Sequence, residues 1–187
     1  MSSGERVHIL GHHPLKSCLP GWQREYGKII NRFQNTVTAQ FHGHTHDDWF
    51  IVYHDDQGAP STQAFIAPSG TSYTNRNPEF RVYQVVAEKS EPSYGYIRDH
   101  ETWSMDLSTV STESDVPTWS KLYSARADLG LTGVTAADWR DVLDRANNDP
   151  ELFEKLVIYY NQNHWNGDLP DKSAFLCRDI WNIDCPF

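Results

Sequence analysis

The sequence has little cysteine, three in 187 residues, and little methionine, two. So few cysteines exclude a disulfide-stapled miniprotein, and the length suffices for one hydrophobic core. Basic residues are outnumbered: 16 Lys and Arg face 25 Asp and Glu, for a net charge of −9. That excludes the basic face a nucleic-acid binder needs. No run of roughly 18 apolar residues reads as a membrane span. The opening residues MSSGERVHIL lack the apolar centre of a secretion signal. N-x-S/T glycosylation sites, internal repeats and low-complexity tracts are also missing.

What is plentiful is aromatic: 13% of residues, including seven Trp and nine Tyr. Such side chains bury large areas and also line pockets. With a mean hydropathy of −0.63, the chain reads as a soluble globular protein. The three cysteines leave two readings open. Cys177 and Cys185 are close enough in FLCRDIWNIDCPF to close a small loop, whereas Cys18 stands alone. Either all three are free thiols of a cytosolic protein, or the protein is secreted and the partner of Cys18 lies outside this sequence.

Hydrophobic periodicity divides the chain in two. VHIL (7–10), TVTAQF (36–41), DWFIVYH (48–54), AFIAP (64–68) and FRVYQVV (80–86) have the β-branched and aromatic content of strands. A weaker alternation suggests one more at 96–107. Trp22, Tyr26, Ile29, Ile30 and Phe33 fall at helical spacing and predict a helix over 21–33. After the linker STESDVP (111–117), Trp119, Leu122, Tyr123 and Ala127 predict a helix ended by Gly130. Thr135 and Asp138 sit at capping-box spacing before a second helix, and Asp149-Pro150 opens a third. The expectation is an α/β unit over 1–110 and a helical one over 111–187.

Chemistry points to the histidines. Six of nine lie in the first 46 residues, and QFHGHTHDDWF (40–50) holds three, His42, His44 and His46, followed by Asp47 and Asp48. Alternate residues of a strand share a face, so His44 and His46 can point the same way. A second turn, GHHP (11–14), also follows a strand, and parallel strands gather ligands at their C-terminal ends. Imidazoles so placed suit zinc or another first-row ion. His8, His54, His100 and His164 stand alone and read as ordinary surface or core residues. Asp47 and Asp48 read as a solvated turn, or as partners orienting the histidines. HTHDDW also partly fits the HxHxDH pattern of metallo-β-lactamase-like hydrolases, but Trp49 stands where that pattern needs its last histidine.

VHILGHHP, FHGHTHDDWFIVYH and AFIAPSGTSYTNRNPEFRVYQV, in that order, resemble the C-terminal half of acid sphingomyelinases, of the calcineurin-like metallophosphoesterase superfamily. The likeness continues through DHETW (99–103), WSKLYSARADLGL (119–131) and the last two cysteines. It implies the C-terminal half of a metallophosphoesterase sandwich followed by a helical domain. It implies hydrolysis of sphingomyelin to ceramide and phosphocholine at a di-zinc site, His12 and His44 holding one ion and His46 the other. Tyr73 matches a tyrosine beside the phosphocholine site, where a ring can hold a quaternary ammonium. Asn77 and Arg81 are expected to shape the fold rather than touch substrate. A Cys177–Cys185 disulfide, secretion or a lysosomal location, and contact with a membrane surface through a domain absent here also follow from the resemblance.

The family's D-x-H and GNH motifs do not occur, its GD-x-x-D pattern is met only by GDLPD (167–171) at the wrong end of the chain, and the histidine acting as general acid is missing, so no catalytic residue is expected in these 187. GHHPLKSC departs from the family's more proline- and glycine-rich turn but keeps the metal histidine. The chain by itself is expected to be inactive and poorly stable. The alternatives are a sphingomyelinase-like phosphodiesterase acting on nucleotides or other soluble phosphoesters, and a non-catalytic fragment.

Overall fold

The computed structural model describes residues 4–165 and 167–181. Two sheets form a mixed α/β fold. The first contains β1 (Val7–Leu10), β2 (Val37–His42), β3 (Trp49–His54), β4 (Pro60–Ile66) and β8 (Ile180–Trp181), in the order β1-β2-β4-β3-β8. β1, β2 and β4 run parallel, β3 is antiparallel to β4, and β8 is parallel to β3. Both faces of β3 are buried, as its continuous run WFIVYH requires. The second sheet is antiparallel: β5 (Glu79–Val85), β6 (Ile97–Met105) and β7 (Trp119–Ser124). The sheets meet where Phe41 and Phe65 of the first touch Tyr83 and His100 of the second, at ring separations of 4.7 and 5.8 Å.

The helices are α1 (Pro20–Arg32), α2 (Ala125–Leu129), α3 (Ala136–Asn148), α4 (Pro150–Tyr160) and α5 (Lys172–Leu176). The capping box of α3 is present, Thr135 and Asp138 bonding each other's backbone N–H. Asp149 caps α4 through the N–H groups of Glu151 and Leu152. Trp139 of α3 stacks on Phe50 at 4.3 Å and lies parallel to His100 at 5.7 Å, so α3 seals the core that both sheets share. No helix among the described residues is long and apolar enough to cross a membrane.

The structure corrects one of these readings. Trp119–Ser124 is a strand paired with β6, and only Ala125–Leu129 is helical. Spacings of three and four in so short a segment fit either structure, and the open edge of β6 decides. The helix expected over 21–33 is present as α1, its apolar face only half buried: Ile30 is enclosed, while Trp22, Ile29 and Phe33 are 50%, 55% and 47% exposed. Cys18 is a free thiol. Cys185, and with it the expected pairing to Cys177, lies outside the described residues.

A buried ion pair joins the sheets. Asp48, just before β3, pairs with Arg81 of β5, and both side chains are almost wholly buried. Thr102 of β6 and Tyr123 of β7 each donate a hydroxyl to the same carboxylate, at 3.0 and 2.8 Å. Removing one partner of such a pair strands a buried charge, at about 3–5 kcal/mol. Asp48→Ala is therefore expected to lower unfolding free energy by about 3–5 kcal/mol in urea titrations. A loss below about 1 kcal/mol, the range of an exposed pair, would contradict this.

Glu79 is a second buried carboxyl. It is 1% exposed and faces Ser104 across the β5–β6 ladder. Burial raises its pKa to about 8, and Ser104 and the Arg76 charge offset only part of that. A carboxyl whose folded pKa is raised stabilises below the unfolded value of 4.5 and loses that contribution as pH rises through about 8. Glu79→Gln is expected to match the wild type near pH 4.5 and to exceed it at pH 8, by an amount on the order of a few kcal/mol. Parallel stability curves across that range would rule this out.

Candidate metal centre

β1 and β2 lie side by side and point the same way, so their C-terminal ends open on one edge. GHHP leaves β1 there and GHTH leaves β2. The ladder continues past both strands: Gly11 N–H donates to Phe41 O at 3.0 Å, and Gly43 N–H donates to His12 O at 3.1 Å. Gly11 leaves room for the neighbouring His42. A Cβ on Gly11 would come within 3.2 Å of the buried His42 ring. Burial holds that imidazole's pKa below its ordinary value, with the backbone of His13 and Gly11 offsetting part.

β2 ends at His42, so the histidines beyond it do not alternate as in a strand. Thr45 N–H bonds back to Gly43 O at 2.9 Å, closing a γ-turn around His44, whose φ is 73°. His46 is also left-handed, with φ 61°. A non-glycine residue in that region costs on the order of 1–3 kcal/mol, and such strain gathers where side chains must be aimed.

The turn sends the two histidines apart. His44 meets His12 at a ring separation of 5.1 Å and His13 at 3.9 Å, and His12 lies 5.1 Å from His13. One ligand nitrogen from each of these exposed residues lies within 4.8 Å of the other two, and no carboxylate belongs to the group. Partial desolvation, then repulsion by His13, His12 and His46, keeps the pKa of His44 below the usual imidazole value. His46 instead packs edge-on against Tyr73, at 6.2 Å and 82°. Tyr73 is 70% exposed on a loop, 69–79, that Glu79 N–H and Ser69 O close at 2.8 Å.

The carboxylates that follow the histidines face inward, neither solvated nor bonded to an imidazole. Asp47 pairs with Arg76 at 2.6 Å, and Arg76 also donates to His46 O and, at 3.2 Å, to Tyr160 O. Asp48 is held by Arg81. Asn77 accepts from Leu107 N–H at 3.0 Å and donates to Asn163 O at 3.3 Å, a structural role like that of Arg81. His8 bonds Gly95 O, and His100 is enclosed by aromatic rings. A cleft of about 640 Å³ beside the Tyr73 loop, lined by Arg76, Asn77, His164 and Trp165 among others, shares no residue with the histidine group.

His13 was not among the residues the sequence pointed to. Its neighbour His12 was, and strand alternation would send adjacent side chains to opposite faces. The chain bends at both residues before Pro14, so that rule does not apply. The arrangement offers three imidazole nitrogens to one site, a donor set suited to zinc, copper, nickel or iron.

No family model matches the chain. It is 37% identical over 182 residues to a sphingomyelin phosphodiesterase of Bos taurus and 36% identical over 182 residues to one of Homo sapiens, in both cases across 95% of this chain. It is 31% identical over 186 residues, 94% of the chain, to sphingomyelin phosphodiesterase 2 of Caenorhabditis elegans. It spans less than a third of these relatives, 29%, 29% and 30% of their lengths. Along nearly all its own residues, then, the chain is similar to a segment of these sphingomyelin phosphodiesterases.

Proposed function

We propose that the chain is the C-terminal portion of a metal-dependent phosphodiesterase that hydrolyses sphingomyelin to ceramide and phosphocholine. The observation that carries this is the convergence of His12 and His44 at the ends of two parallel strands, in a chain this similar to sphingomyelin phosphodiesterases.

The donor set fits zinc. Bonds of about 2.0–2.1 Å in tetrahedral geometry need nitrogens roughly 3.4 Å apart. One nitrogen from each exposed ring already lies within 4.8 Å of the other two, and no packing around the rings opposes their rotation toward that spacing. His12 and His44 would hold one ion and His46 a second. Bound there, the ions supply Lewis acidity and a nucleophile made from water. The chain's other residues position. The Asp47–Arg76 pair fixes the loop carrying His46, and Tyr73 beside it offers an exposed aromatic face to the choline ammonium.

The chain supplies part of the site in this reading. Its metal group is all imidazole, with no carboxylate to bridge two ions. β1 is an edge strand, Leu10 on it is 80% exposed, and Trp22, Ile29 and Phe33 of α1 stay about half exposed. Segments corresponding to the remaining length of the relatives would cover that edge and bring the missing ligands. The same reading assigns the whole protein to a secretory or lysosomal compartment and its contact with the lipid surface to a domain outside these residues.

The 187-residue chain alone is expected to release no phosphocholine from sphingomyelin, and release above the buffer rate would overturn the partial-site reading. Joined to the N-terminal part of the bovine relative, it should gain zinc-dependent activity. His12→Ala or His44→Ala should lower that activity by about 10²-fold or more. A folded, zinc-loaded chimera with no activity on sphingomyelin would refute the proposed reaction. In the same protein Tyr73→Phe should keep the wild-type KM, whereas Tyr73→Ala should raise it about 2–30-fold, the range of one cation–π contact. Equal KM values for the two variants would remove Tyr73 from the choline site.

A further inference from the structure

We infer that His13 is a third protein ligand to the first ion, so that His12, His13 and His44 bind one divalent transition metal without any residue from outside the chain. The inference rests on the reading of His12 and His44 as ligands and extends it by one residue.

Three observations carry it. The tightest ring pair in the group is His13 with His44, at 3.9 Å, closer than either ring is to His12. Among the described residues none of the three rings has a hydrogen-bonding or ionic partner to account for the crowding. The two nearest carboxylates in sequence, Asp47 and Asp48, are occupied by Arg76 and Arg81. A cation shared by three neutral imidazoles would turn this unfavourable proximity into coordination.

The backbone also pre-orients His13. The residue before a proline is restricted to extended conformations, and Pro14 itself is fixed at φ −69° and ψ 161°. His12 is tied to the opposite turn through Gly43, and His44 is held by its γ-turn. Little backbone entropy remains to be lost when an ion binds. His46 has a comparable left-handed backbone but turns its ring to Tyr73 and stays outside the group. Three histidines with an open fourth position would make a mononuclear site in their own right.

The test is to titrate the purified chain with Co²⁺ and Zn²⁺, and to count bound imidazoles by X-ray absorption of the cobalt form. The expected result is one equivalent bound with three imidazoles. His13→Ala should bind about 10–100-fold more weakly and show two, and His164→Ala, in the separate cleft, should leave affinity and count unchanged. Circular dichroism confirms that the variants stay folded, which the exposure of all three rings favours. Wild-type affinity in His13→Ala, alongside losses in His12→Ala and His44→Ala, would overturn the inference while leaving the proposed function standing. Equal loss in His46→Ala would overturn it in favour of a different ligand set. No uptake by the wild-type chain would overturn it as well, and zinc-dependent activity of the chimera would then still decide the proposed function separately.

Discussion

The structure depends on one carboxylate. Asp48 stands between the histidine loop and β3, and its side chain is bound by a residue from each strand of the other sheet: Arg81 on β5, Thr102 on β6 and Tyr123 on β7. A buried charge is tolerated only when its partners are aimed at it, because the interior cannot solvate it. The two sheets are therefore fixed to each other at this point by more than apolar contact. Arg81 is too deeply buried to act on a substrate, and its position makes the sheet-to-sheet register part of the site's geometry.

The consequence reaches the histidines through the adjacent residue. Asp47 pairs with Arg76, which also holds the carbonyls of His46 and Tyr160. The loop from Gly43 to Asp48 is thus anchored at its far end by two arginines and at its near end by the Gly43–His12 backbone bond. Only a loop held at both ends can sustain left-handed φ at both His44 and His46. Strain at His44 is a local cost met by ion pairs several residues away. It aims that ring at His12 and His13 while releasing His46 toward Tyr73.

Most of the scaffold was legible because its signals were local. β-branched runs marked β1 to β6 within a few residues, and Thr135, Asp138, Asp149 and Pro150 carry the cap chemistry that begins α3 and α4. Trp119 to Ser124 was misread because its spacing satisfies a helix, and only the unpaired edge of β6, a non-local fact, makes it a strand. The site was half legible. That two His-bearing turns follow parallel strands could be read from the sequence. That His13 joins the group follows from a bend before a proline, and that Asp47 and Asp48 face inward follows from arginines about 30 residues away. Neither is a property of the motif GHTHDD itself.

The buried titratable groups set the conditions in which site and scaffold coexist. Burial raises Glu79 to about 8 and Asp179 to about 6, so each favours folding below its unfolded value and weakens it as pH rises toward those figures. Burial lowers His42 and His100, which act with the opposite sign: each stabilises above about 6.5, the ordinary imidazole value, and loses its contribution as pH falls below it. In mildly acidic solution the two carboxyls and the two imidazoles oppose each other. Above about 6.5 only Glu79 still acts, and it acts against the fold. The proposed metal site would add its own demand, since an imidazole must be neutral to ligate. The lowered pKa of His44 would meet that demand by keeping one ring of the group neutral further into acid.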